Sequence, residues 1–514
     1  MSRFKRFAQS LVSGYLLLGT NVVFTLAQVP LALHYLSKSE FGLWALTTQI
    51  TGYLLMLDLG MSGSLVRNLI DHKDDKAGGK YGAIILTGVM VLLVQGACIA
   101  LGGVILSFGL SWLFPSVEPS LMNDFQILVA GQCILVGVSF VGRIASFILQ
   151  AHQRFDVSNY ASIVTFVVIF TVQWIAFHMG LKLYGMLVAG VASTVCGLII
   201  NFAGVIRLGF MPAKGYWGSA SMVLFKELFR FGNELFLLTL GLQLLNASQL
   251  VIISRTLGLS AAGTWAIATR TFLLAFQAVS RIFDFSAGAL GEMIVRSERA
   301  NLLRRYRDVM LLTAVAGVFI CVSIALCNSS FLEVWTSMSG RTAVSWELRN
   351  DILMAVLVLL NCVTRCHINL AIFAKEISTM RWIYFLQGAF FVVIGFLIAP
   401  LFGITGIIVS AIVTEIICIG IYGFRWSSNY FSVSSGEILG HWLGPAFKYL
   451  FVMSVAAVLI SLATTALPTL AKLFVNAGAI GVTGLILCWS VGLTGELRGE
   501  LLARFAKVRA RFKS

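Results

Sequence analysis

Apolar runs of about 20 residues, broken by short polar stretches, recur along the whole chain. At a rise of about 1.5 Å per residue, each run is what an α-helix needs to cross the hydrocarbon of a bilayer. About 14 can be traced. They centre near Val23, Gly52, Leu93, Leu135, Ile169, Thr194, Leu242, Leu274, Val318, Leu360, Ala389, Val413, Ala457 and Ile480. The pattern predicts an all-α, polytopic integral membrane protein. Its first run follows the basic start "MSRFKRF" and continues to about Leu36 without a small-residue cleavage site, so it reads as a permanent span rather than a removable leader.

Within the pattern lies a repeat. The stretch Leu36–Gln49, "LSKSEFGLWALTTQ", returns as Leu257–Arg270, "LGLSAAGTWAIATR". A shift of about 221 residues places Leu36 on Leu257, Gly42 on Gly263, Trp44 on Trp265, Ala45 on Ala266 and Thr48 on Thr269, while Gln49 meets Arg270. Nearly the same shift places Arg143 on Arg365, Ala151 on Ala374, Gly185 on Gly406 and Val188 on Val409. Six spans per copy is an even number, so both copies cross in the same sense and are expected to be related by a pseudo-twofold along the membrane normal. The expected organisation is a six-helix lobe over 1–210, a cytoplasmic interfacial linker over 211–223, a second six-helix lobe over 224–427, and helices 13 and 14 with a basic tail over 428–514. Met222, Phe225, Leu228 and Phe229 suit an amphipathic helix lying on the interface. The two lobes are expected to face each other across a central cleft.

Composition agrees: of 514 residues 58% are hydrophobic and 11% charged, with mean hydropathy +0.91, more apolar surface than a water-soluble domain can hide. Lys and Arg mark the cytoplasmic side. With the amino terminus inside, about 27 of them fall on inner segments and about six outside, at Lys38, Lys182, Arg255, Arg341, Arg349 and Lys472. Both termini are therefore expected in the cytoplasm. The net charge of +15 suits an anionic lipid surface and calls for no nucleic acid. Nine cysteines lie in apolar runs without a disulfide framework, and Cys362, Cys366 and His367 lack a clear fourth metal ligand, so no metal or cofactor is expected. Gly79-Lys80 leads into Tyr81 without the spaced glycine of a phosphate-binding loop. The longest outer loop, about 20 residues from Ser329 to Asn350, is too short to be a catalytic domain. These features point to a transporter with no catalytic residues rather than an enzyme.

The run "YLSKSEFGLWALTTQITGYLLMLDLGMSGSLVR", Tyr35–Arg67, resembles the opening of the polysaccharide-exporter flippases, the O-antigen, Wzx-like group of the superfamily that also holds multidrug extruders and lipid II flippases. "LSKSEFGLW" and Leu57-Asp58-Leu59-Gly60 carry most of the likeness, and "ILQAHQRFDVSNY" from Ile148 adds to it. The resemblance implies a flippase of the bacterial cytoplasmic membrane that moves an undecaprenyl-pyrophosphate-linked oligosaccharide between leaflets for O-antigen, lipopolysaccharide or exopolysaccharide assembly. It implies a polysaccharide polymerase and glycosyltransferases as partners. A cation-coupled drug antiporter of the same fold, and less readily a membrane-embedded glycan polymerase or ligase, are the competing readings.

An ionisable side chain inside a span costs about 3 kcal/mol or more, so each needs a reason. Arg270, Gln277 and Arg281 are spaced seven and four residues apart, within about 20° of one line on a helix. Gln243 and Asn246, with Thr239, form a stripe on span 7, and Asn21, Thr25 and Gln28 one on span 1. The repeat places Thr25 on Asn246 and Gln28 on Gln249. Amides and hydroxyls suit sugars, and guanidinium forks suit a pyrophosphate. The substrate-binding set is completed by Arg143 and Arg365, repeat-related and close to inner helix ends, where an architectural role competes. Arg281 could instead pair with Asp284 one turn on, and Arg270 could snorkel. Glu415, whose repeat counterpart is Thr194, is the candidate proton carrier, against the competing reading of a buried, protonated and hydrogen-bonded residue, and Asp58 is the second candidate for ion coupling. For Asp58, Asp284 and Glu234 capping or pairing with inner arginines is the competing reading. His367 reads as a packed polar residue, Gly60, Gly63 and Gly288 as possible hinges, and Trp112, Trp335 and Trp426 as an interfacial belt.

Overall fold

The computed structural model describes residues 3–58, 61–340, 344–374, 376, 378–500 and 502, without the side chains of 3–11, 230–235, 285, 287–289 and 295. Leu59, Gly60, Arg341, Lys375 and the basic tail from 503 lie outside the described residues, as do the side chains of Arg3, Lys5, Arg6, Arg230 and Glu234 and the hinge assigned to Gly288.

The regular structure of the described residues is helical: α1 Arg3–Tyr35, α2 Lys38–Leu54, α3 Met61–His72, α4 Lys80–Phe108, α5 Leu110–Leu113, α6 Pro119–Ala151, α7 Phe155–His178, α8 Lys182–Arg207, α9 Met222–Leu257, α10 Leu259–Ala268, α11 Arg270–Val295, α12 Arg299–Ser337, α13 Leu348–Phe373, α14 Ser378–Thr414, α15 Ile421–Phe431, α16 Ser435–Glu437, α17 Gly444–Ala463 and α18 Thr469–Leu487. Twelve stretches among them are long and apolar enough to cross a membrane. Two differences reconcile this with 14 runs. Ser378–Phe431 contains two helices joined at Gly403, whose φ of 60° breaks the helical path. The α2 segment has only 17 residues and continues as a 3-10 turn, Leu55–Asp58. The chain is thus a multi-pass membrane protein, and large apolar side chains such as Ile105, Phe108, Leu401 and Phe451 stay exposed on it.

Helix contacts gather the chain into two units, Met1–Ala266 and Ile267–Ser514. In the first, α4 and α6 approach closely because Gly96 and Gly137 face each other, and a Cβ on either would strike the other's carbonyl oxygen. The opening motif now has a physical content. Ser37 and Glu40 form a capping box that starts α2: the Glu40 amide donates to Ser37 Oγ at 3.1 Å, and the Ser37 amide to the Glu40 carboxylate at 2.6 Å. Further on, Gly42 lies against the Leu259 carbonyl oxygen, and Gly263 against the Lys38 carbonyl oxygen. The repeat shift turns each contact into the other. The duplicated glycine is therefore where α2 and its repeat partner α10 cross backbone to backbone, on a local twofold axis. The bends before α8 and its counterpart repeat as well, since Lys182 has φ 43° where the same shift places Gly403 with φ 60°.

The linker after α8 does not form a separate interfacial helix. It folds back on the start of α4, with the Ala213 amide donating to the Lys76 carbonyl, Lys76 Nζ to the Gly209 carbonyl at 2.6 Å, and Tyr81 to the Phe210 carbonyl at 2.9 Å. Met222, Phe225, Leu228 and Phe229 instead begin the 36-residue α9, with Leu228 buried and Met222 and Phe229 exposed. The His152 ring stacks on Phe210 at 3.9 Å. Burial there, helped by Lys76 and Lys73, pushes His152 below its ordinary range, against the opposing hydrogen bond to the Ile148 carbonyl.

The second unit is built round α12, whose Tyr306, Met310, Ala314 and Val318 form a core with Tyr449 and Met453 of α17 and Ile480 of α18. Span 13 thus packs through α17, and span 14 through α18, on α12.

Candidate functional site

Arg270, Gln277 and Arg281 share one uninterrupted helix, α11, so their expected alignment holds. Eleven residues put the two guanidinium-bearing Cα atoms about 16 Å apart along the axis. Arg270 follows the break at Thr269 and is half-buried, and Arg281 is exposed. Neither has an ion-pair or hydrogen-bond partner among the described residues. The alternative pairing of Arg281 with Asp284 is corrected: Asp284 accepts from Arg365 at 3.2 Å. Both members of that pair are about a third exposed, so it adds at most about 1 kcal/mol.

Arg143, the repeat counterpart of Arg365, lies with its guanidinium 3.9 Å over the Phe140 ring, and Asp58 is near enough to act on it electrostatically. Asp58 itself accepts from Ser62 Oγ at the end of the 3-10 turn. Arg365 of the fourth span in the second copy thus pairs with Asp284, whereas Arg143 of the fourth span in the first copy packs on Phe140 and feels Asp58 only through space. This arrangement favours the architectural role for Arg143 and Arg365.

On α1, Asn21 is half-buried, Thr25 buried, and Gln28 Nε2 donates to Gln173 of α7 at 3.4 Å. On α9, Gln243 lies against Gly52 of α2, and Asn246 is exposed with its amide returned to the Leu242 carbonyl at 2.9 Å.

Glu415 is 4% exposed and opens a π-helical turn, Glu415–Gly420. One carboxylate oxygen accepts from Thr364 Oγ1 at 2.5 Å, the other from Gln387 Nε2 at 2.6 Å. Gln387 Oε1 is buried with no partner, leaving an acceptor beside the carboxylate. π-Helical turns widen a helix by one residue and recur at functional positions. The Cys362, Cys366 and His367 cluster does not converge: Cys366 Sγ donates to the Cys362 carbonyl, while His367 Nδ1 is within 2.6 Å of Ser427 and 3.0 Å of Tyr306.

Sequence reasoning passed over Asp351, Gln387, Gln132 and Gln173. Asp351 is fully buried and accepts from Ser329 Oγ at 2.5 Å, Asn328 Nδ2 at 2.6 Å and Trp346 Nε1 at 2.8 Å. Asn328 also accepts from Thr271 at 2.7 Å, so this network holds the start of α11 next to Arg270. The missed signal was polarity itself: each is an amide or acid in or beside an apolar run, where solvation is lost.

A duplicated six-span architecture with two extra helices and no strand among the described residues defines the fold of a two-lobed membrane transporter. Solved structures agree on that fold. The lipid II flippase MurJ in an inward closed conformation has TM-score 0.67 at 12% identity, over 93% of this chain and 98% of that one. An inward-facing multidrug resistance MATE family transporter of the MOP superfamily has TM-score 0.66 at 13% identity, over 80% and 94%. A MOP superfamily transporter from Pyrococcus furiosus, described as having a binding pocket of reverse polarity, has TM-score 0.59 at 12% identity, over 83% and 96%. The family model of polysaccharide biosynthesis proteins matches residues 12–287, more than half of the chain, and the protein belongs to that family. No curated protein matches it.

Proposed function

We propose that the protein is a flippase that moves an undecaprenyl-pyrophosphate-linked oligosaccharide across the bacterial cytoplasmic membrane, with both termini in the cytoplasm. The lobes over 1–210 and 224–427 alternate access by rocking, as same-sense six-span repeats permit. The observation that carries the reading is the α11 stripe: two arginines on one face without an acidic partner among the described residues. An antiporter for organic cations would place acids there instead. Guanidinium forks bind phosphate oxygens in pairs, so the pyrophosphate passes from Arg281 to Arg270 while crossing.

Glu415 couples transport to a proton. Gln387 can turn its amide, so the same cage satisfies the carboxylate by donating to it and the carboxylic acid by accepting from it. Membership in a polysaccharide biosynthesis family supports the choice of cargo class. Depletion followed by mass analysis of lipid-linked glycans tests it. Accumulation of a polyprenyl-pyrophosphate glycan on the cytoplasmic face is expected, and an unchanged lipid-linked pool would overturn the reading.

A further inference from the structure

The first unit holds a half-open cavity of about 270 Å³ framed by α1, α2, α6, α7 and α8. Its polar lining is Gln28, Gln132, Ser139, Gln173, Ser193 and Thr194, with Trp44 on one wall, and it contains no charged side chain. Gln173 is 1% exposed. Its Oε1 takes the bond from Gln28, while its Nε2 is buried with no partner, as is Gln132 Oε1. Ser193 turns its hydrogen to the Gly190 carbonyl at 2.9 Å, which leaves its oxygen free to accept.

A buried amide group left unmet costs about 1–3 kcal/mol, and the unmet donor and acceptor belong to two side chains that line one cavity, so a turn of each amide into the space lets a visitor that both gives and takes hydrogen bonds satisfy them. Bare ions fit poorly: the lining has no carboxylate for a cation and no guanidinium or ammonium for an anion. The space is large enough for several waters, so a ligand that enters must replace their hydrogen bonds as well. A sugar ring matches the chemistry. Its hydroxyls donate and accept at once, and its C–H face suits the Trp44 ring. The repeat sharpens the contrast, because its shift places Thr194 of this cavity on Glu415. The same slot is neutral in one copy and acidic in the other.

We propose that this cavity is a sugar subsite, which receives one neutral sugar residue of the lipid-linked glycan on the amides of Gln132, Gln173 and Gln28, with Trp44 as the stacking face. The inference rests on the flippase reading and extends it from the pyrophosphate to the glycan. It assigns recognition of the charge to α11 and of the sugar to the first unit.

The test uses the full chain in nanodiscs of phosphatidylethanolamine and phosphatidylglycerol, with two probes: polyprenyl pyrophosphate bearing one N-acetylhexosamine, and polyprenyl pyrophosphate without sugar. The wild type should bind the glycosylated probe more tightly. Gln173→Leu and Gln132→Met should each weaken that probe about tenfold, equivalent to about 1.4 kcal/mol, and leave the bare probe unchanged. The second variant keeps length and shape, so it carries the test if the first misfolds. Equal weakening of both probes, no change in either, or no wild-type preference for the sugar would each overturn the subsite while leaving the flippase reading standing. A wild type that binds neither probe would overturn both.

Discussion

Replacing Glu415 by Gln and by Ala separates two roles of this carboxylate. In the wild type both oxygens are occupied, by Thr364 and Gln387, and Gln387 Oε1 is unmet. Glu415→Gln keeps the shape and the acceptor for Thr364. Its new amide donates to Gln387 once that side chain turns over, so the buried bonds are exchanged rather than lost, and the cost should stay below about 1 kcal/mol. Glu415→Ala strands the Gln387 amide in a dry site at about 1–3 kcal/mol, leaves the Thr364 hydroxyl only its longer bond to the Asn361 carbonyl at 3.3 Å, and opens a void whose loss of packing adds about 2–3 kcal/mol. The sum is about 3–6 kcal/mol, enough to deplete folded protein. Thermal stability in detergent, read as the monodisperse fraction after heating, should therefore rank wild type close to Gln and well above Ala. Transport in proteoliposomes across a pH gradient should be lost in the Gln variant despite its normal stability, because an amide cannot release a proton. Gln as unstable as Ala would refute the amide-exchange argument. Gln transporting at the wild-type rate with the wild-type pH dependence would refute coupling through Glu415.

Gly42→Ala should lower thermal stability by about 1–3 kcal/mol, since the new methyl meets the Leu259 carbonyl, whereas Gly19→Ala, with open space around it, should change little. Arg365→Ala removes the partner of Asp284 and should cost at most about 1 kcal/mol in a melting experiment, while Arg281→Ala, which leaves no acid stranded, should cost nothing measurable. Because His152 is held below its ordinary range by burial, its unfolded form binds the proton first as pH falls. Stability present above about pH 6.5 should decline below it, and a melting series should find that decline reduced in His152→Asn. In a cysteine-free background, Thr465→Cys should react with an impermeant thiol reagent from outside and Lys214→Cys should not; the reverse would overturn the orientation.

The elements legible in the sequence were those set by local or periodic signals. Apolar runs marked the spans, and the duplicated Leu36–Gln49 stretch marked the repeat, whose meaning became physical at Gly42 and Gly263. Helical spacing aligned Arg270 with Arg281, because that geometry needs only one helix. The same local view suggested Asp284 as a partner for Arg281, since the two lie within one turn of each other. The partner actually taken, Arg365, belongs to a different helix, α13, and no pattern in the sequence marks it. Met222 to Phe229 has the composition of an interfacial helix but continues without a break into α9, and amphipathic spacing alone cannot distinguish these cases. The Gln28–Gln173 contact and the Asp351 network are tertiary as well. Each polar residue was visible in an apolar context, but what satisfies it depends on helices far apart in the chain.

The central claim is that this chain moves a pyrophosphate-linked glycan on the arginines of α11. Its most direct test is flipping by purified protein in proteoliposomes loaded with a polyprenyl-pyrophosphate oligosaccharide, scored by how much becomes accessible to a glycosidase added outside. Wild-type protein should expose glycan faster than empty liposomes, and the Arg270→Ala, Arg281→Ala double variant, matched for folded protein, should fall to the empty-liposome rate. Wild-type flipping retained in full by the double variant, or no flipping by the wild type under an imposed proton gradient of either sign, would contradict the account.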